Sequence, residues 1–90
     1  MTIVFKAALT KIEKIELAIV WLDKKYLNQP EELKKHIVFY KDLFKLENVA
    51  LMMIDENDDP LYYGKKEIVD LLKQKSWKKY PWQEFSLDKG

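Results

Sequence analysis

The side chains most capable of chemistry gather in two adjoining stretches of opposite charge. Asp55-Glu-Asn-Asp-Asp59 packs four acids and an asparagine into five residues ahead of Pro60. Carboxylate and amide oxygens at alternating positions, here Asp55, Asn57 and Asp59, are donors that suit a hard divalent cation. A calcium loop in this register needs glycine at its sixth position and glutamate at its twelfth, where this chain has Pro60 and Lys66. Acids beside proline between two apolar runs are ordinary turn chemistry, and no metal or other cofactor is expected. The second stretch is Lys65–Phe85. Before residue 81, lysines 65, 66, 73, 75, 78 and 79 outweigh Glu67 and Asp70, a local charge of +4, and Trp77, Tyr80, Trp82 and Phe85 interleave with them. Three readings fit such a pattern. The aromatics can close over the core with lysines reaching outward. They can anchor a protein interface, where tryptophan and tyrosine carry much of the binding energy. Or the lysines can track a phosphate backbone while the rings stack on bases. They rank in that order.

Catalytic chemistry has little to work with. His36 is the single histidine, and Thr2, Thr10, Ser76 and Ser86 are the aliphatic hydroxyls. None of them forms a motif of nucleophile and base. His36 falls on the edge of an apolar helical stripe, where a partly buried structural histidine is the expectation. There is no cysteine, so thiol catalysis, thiolate metal sites and disulfides are excluded. With glycine only at 64 and 90, no glycine-rich phosphate loop can form. Gly64 ahead of Lys65 and Lys66 could offer one anion a helix N-terminus, but a plain joint between strand and helix explains it better. No catalytic residue is expected, and the chain reads as a non-enzyme.

Ninety residues with 48% hydrophobic and 34% charged side chains make one folded domain. The net charge is +1, and all sixteen basic residues are lysine. Arginine is the usual bidentate reader of phosphate and guanine, so its absence weakens a nucleic-acid role. No apolar run is longer than Leu17–Leu22, far short of a membrane span. The N-terminus lacks the pattern of a signal peptide, and a cytoplasmic location is expected.

The elements that must position these groups follow from periodicity. Thr2–Leu9 is rich in β-branched and aromatic residues and reads as a strand. Thr10-Lys-Ile-Glu13 has the form of a capping box, which predicts a helix over Lys11–Leu27 with Ile12, Ile15, Ile19, Leu22 and Tyr26 on one face. A second helix is predicted from Pro30 to Lys45, with Leu33, Ile37, Tyr40 and Phe44 inward, Asn28 available as a cap and Val38 among lysines. Val49–Ile54 reads as a strand covered on both faces. The acidic turn and Leu61–Tyr63 complete a hairpin, and Lys65–Ser76 is a third helix with Ile68, Leu71 and Leu72 inward. Residues 1–85 form the domain, and 86–90 are expected to fray. The fold class is α+β: a small two-layer β-α-α-β-β-α domain with helices packed on a short sheet.

Strand, helix, helix, hairpin and helix in that order resemble a thioredoxin-like fold lacking one strand. The hairpin leading through Gly64 into a helix carries most of that resemblance. The family's cysteines and the proline ahead of the hairpin are missing here, so the resemblance implies a degenerate thioredoxin-like fold and no activity.

The reading that follows is a small non-catalytic, regulatory interaction module. It would bind a larger protein through a C-terminal surface of Lys73, Lys75, Trp77, Lys78, Lys79, Tyr80, Trp82 and Phe85. The alternative is a non-specific single-stranded nucleic-acid binder using residues 73–82. No membrane partner is expected. The −4 turn beside the +4 segment suits head-to-tail association, and Val49–Ile54 at a sheet edge would favour a homodimer.

Overall fold

Glu13 and Lys14 have φ of 50° and 71° and turn the chain back on itself. They join two strands, β1 (Thr2–Ile12) and β2 (Ile15–Trp21), in the computed structural model, which describes residues 2–88. Two successive residues at positive φ make the tight hairpin turn whose twist matches that of its strands. The order continues with α1 (Pro30–Phe44), β3 (Val49–Ile54), β4 (Pro60–Tyr63), α2 (Lys66–Leu72) and β5 (Trp82–Asp88). All five strands form one sheet in the order β4-β3-β2-β1-β5. Only β2 and β3 run parallel, and α1 supplies the crossover that parallel neighbours need.

The α+β class stands, while the predicted helix over Lys11–Leu27 is replaced by the end of β1, the turn, β2 and a short 3-10 turn at Lys24–Tyr26. The reason is the environment of β2. Leu17, Ala18, Ile19 and Val20 are all inaccessible to solvent. A strand covered on both faces is continuously apolar, and a continuous run satisfies a helical period as readily as any other. From Leu17 in β2 to Leu22 just after it, the side chains alternate between two cores. Ala18, Val20 and Leu22 join Leu33, Tyr40, Leu51 and Met53 beneath α1. Leu17 and Ile19 join Ala50, Met52, Ile68, Leu72 and Tyr80 beneath α2. The helices therefore lie on opposite faces, one layer more than expected.

α1 keeps its predicted stripe. Leu33, Ile37, Tyr40 and Phe44 all pack into the first core, Pro30 occupies the first turn, and Lys45 ends the helix in the left-handed region at φ 56°. Gln29, not Asn28, holds the N-cap position. β3 is covered on both faces as predicted, but β2 and β4 flank it, so it is not the edge that would invite a dimer. β4 is an edge of four residues beginning with Pro60, a length and composition that discourage further pairing. β5 pairs with β1 from Ala8↔Trp82 to Thr2↔Asp88. Ser86–Asp88, expected to fray, therefore belongs to the sheet, and residues 89 and 90 lie outside the described residues. Of the thioredoxin-like pattern, the hairpin, Gly64 and helix are present; two strands and one helix stand where strand, helix and helix were expected.

Candidate interaction surface

The chain leaving α2 is tied down at short range. Tyr80 donates its hydroxyl to the Leu72 carbonyl at 3.0 Å, which satisfies one of the acceptors that a helix leaves open at its C-terminus. Trp77–Lys79 make a 3-10 turn, and the Trp82 Nε1–H donates to the Trp77 carbonyl at 2.8 Å. Pro81 then leads into β5. These bonds fix Trp77 and Trp82 against Trp21 of β2, with ring centroids 5.1 Å and 5.5 Å from the Trp21 ring. The three indoles are each half-buried.

Lysines cover the rings. Lys6 Nζ lies 5.3 Å from the Trp21 centroid, Lys78 Nζ lies 5.7 Å from that of Trp77, and Lys75 Nζ lies 5.0 Å from that of Tyr80. Such ammonium–ring contacts stabilise by about 0.5–1 kcal/mol at exposed sites. They also hold the lysine stems over the rings.

The eight residues expected to form one surface are divided by the fold. Lys73, Lys75, Lys78 and Lys79 are exposed, and Trp77 and Trp82 lie beside them at the surface. Tyr80 does not join them. It is 4% exposed and belongs to the core beneath α2. Phe85 lies on the other face of the sheet, stacked on Phe5 at 5.4 Å and edge-on to Phe44 at 5.5 Å. The cause is the two-residue repeat of β5, which sends Trp82 and Phe85 to opposite sides. Trp21 and Lys6 were not anticipated. They are register partners across the β1–β2 hairpin, a pairing legible only once Glu13-Lys14 is read as the turn.

The acidic stretch is a turn held by one carboxylate. Asp55 Oδ1 accepts from the Asn57 and Asp59 backbone N–H groups at 2.8 Å and 2.9 Å, and Asp58 takes φ 64°. Among the described residues no group of three or more histidine, aspartate or glutamate side chains is placed to hold a metal. Asp58 faces the basic segment, with Lys78 Nζ at 3.7 Å from its Oδ2. The opposite charges expected to draw a second copy head-to-tail thus meet partly within one chain.

His36 donates from Nδ1 to the Glu32 carbonyl at 2.7 Å and packs against Tyr26 and Tyr40 at 4.8 Å and 6.2 Å. A carbonyl can only accept, which assigns the proton to Nδ1. Burial raises the Tyr40 and Tyr80 hydroxyls above their ordinary pKa of 10.0. Tyr62 is pushed up to about 12 by burial and by the neighbouring Tyr80. Its hydroxyl oxygen is buried without a hydrogen-bond partner among the described residues.

No protein-family model, curated protein or solved structure matches the chain. Among the described residues no helix is long and apolar enough to cross a membrane.

Proposed function

We propose that this chain is a non-catalytic interaction module that docks an acidic surface of a larger protein against the Trp21–Trp77–Trp82 cluster and its lysines. It would act in the cytoplasm, the setting that a small cysteine-free domain fits, and regulate its partner by covering that partner's surface. The observation that carries the reading is the pre-ordered indole cluster with Lys6 and Lys78 laid over its rings. Rigid indoles lose little freedom on binding and are preferred anchors. Exposed lysines around them would steer an acidic partner and set its orientation.

The same geometry disfavours the nucleic-acid alternative. Trp21 and Trp77 meet edge to face, and each carries a lysine over its ring. Base stacking would require those faces to be free.

The test is affinity capture from the protein's own source, with and without nuclease, using the unaltered chain and a Lys75→Glu/Lys78→Glu variant. A dominant protein that survives nuclease and is lost with the variant supports the proposal. Capture abolished by nuclease, with tryptophan quenching by oligonucleotides at low salt, replaces it with the nucleic-acid reading. Capture unchanged in the variant rejects this surface.

A further inference from the structure

A second surface, apart from the tryptophan cluster, has the make-up of a peptide groove. It lies between α1 and the joint from β4 to α2 and encloses about 540 Å³, within the usual range of about 300–1,000 Å³ for a binding pocket. Ile37, Val49, Tyr63 and Ile68 give it an apolar lining. On its α1 wall Lys34, Val38 and Lys41 follow one another at helical spacing. Val38 is 68% exposed, an apolar side chain that the fold itself leaves unused. Lys65 stands at the other wall, and Glu47 is the one acid of the lining.

The charges identify the occupant. Other lysines of α1 and its cap are paired within the chain, Lys35 with Glu32 at 3.6 Å and Lys45 with Asp42 at 3.5 Å. Lys34, Lys41 and Lys65 form no ion pair among the described residues. Three unpaired ammonium groups around an apolar floor complement a segment with one large apolar side chain between carboxylates. Burying that side chain would supply affinity, and the flanking charges would supply register and discrimination. We propose that this groove docks a short acidic segment of a partner protein, anchored by one large aliphatic or aromatic side chain.

The experiment selects a random phage-displayed peptide library on the immobilised full chain, then measures an enriched peptide by fluorescence polarisation and by amide shifts of the labelled protein. Enriched peptides should share one large apolar residue flanked by aspartate or glutamate, and should shift Val38, Tyr63 and Lys65. Affinity should fall about tenfold or more, the equivalent of one well-packed apolar contact, in Val38→Asn. It should fall comparably in Lys34→Glu/Lys41→Glu and stay unchanged in Lys78→Glu. Circular dichroism checks that each variant folds, and Val38→Ala replaces Val38→Asn if the latter does not. Enrichment of basic or uncharged peptides, no enrichment, or binding retained by the Val38 variant overturns the proposal. So do groove shifts that depend on protein concentration without peptide, which would assign the groove to a second copy. Loss of binding in Lys78→Glu alone would return the peptide to the tryptophan surface.

Discussion

The same edit at two tyrosines should have unequal effects on stability. Tyr80 and Tyr62 pack into one core beneath α2. The Tyr80 hydroxyl donates to the Leu72 carbonyl at 3.0 Å, whereas that of Tyr62 is buried with no partner among the described residues. In Tyr80→Phe the ring stays, the hydrogen bond goes, and the Leu72 carbonyl loses its acceptor role. A net loss of about 1–2 kcal/mol follows. In Tyr62→Phe a desolvated hydroxyl is removed and nothing is broken, so the variant should be neutral or up to about 1 kcal/mol more stable. The two should differ by about 2 kcal/mol, or roughly 10 °C in Tm for a domain of this size. Urea unfolding followed by far-ultraviolet circular dichroism, read as a change in midpoint at constant slope, measures both. Equal losses in the two variants would mean that Tyr62 has a hydrogen-bond partner and would refute the reasoning. Tyr80→Ala should cost about 3–5 kcal/mol by opening a cavity, a large share of the stability of a small domain. A Tyr80→Ala variant that remained folded with nearly unchanged stability would return Tyr80 to the surface.

Three further outcomes are expected. Replacing Glu13-Lys14 with Asn-Gly should raise stability by about 1 kcal/mol, since Asn-Gly is the preferred pair for a turn with both φ positive; a fall in Tm would show that the turn is not strained. Stability should decline as pH rises from 10 toward about 12, because the folded chain holds the Tyr62 proton at pH values where the unfolded chain releases it. That stabilisation is complete below pH 10 and lost above about 12, so Tyr62→Phe should show a shallower decline over the window, and an unchanged profile would exclude Tyr62 as a contributor. Gly64→Ala should cost about 1 kcal/mol through its φ of 158°; a Cβ there meets Ala50 and Val49 at 3.5 Å, an ordinary contact, so a much larger loss would point to packing.

Several parts of the molecule follow from local chemistry alone. α1 has its proline at the first turn, its acids behind it and its apolar stripe at helical spacing. The acidic residues ahead of Pro60 make a turn because Asp55 can bond the backbone amides that follow it. The absence of cysteine excludes thiol catalysis and disulfides within this chain whatever the fold. Residues 11–27 could not be settled in that way. Thr10 and Glu13 have the spacing of a helix cap, and Ile12, Ile15 and Ile19 have that of a helix face. Pairing with β3 and coverage from both sides make that region mostly strand instead, because burying a four-residue apolar block on two faces outweighs a capping signal worth about 1 kcal/mol. The same long-range pairing determines the candidate surfaces. Tyr80 enters the core, Phe85 crosses the sheet, and Trp21 with Lys6 reaches the indole cluster only through a register that runs across the hairpin. Helix stripes and turns depend on neighbours within a few residues, whereas the two faces of a sheet are assigned by strands far apart in the chain, and here that assignment divides one aromatic run between two cores.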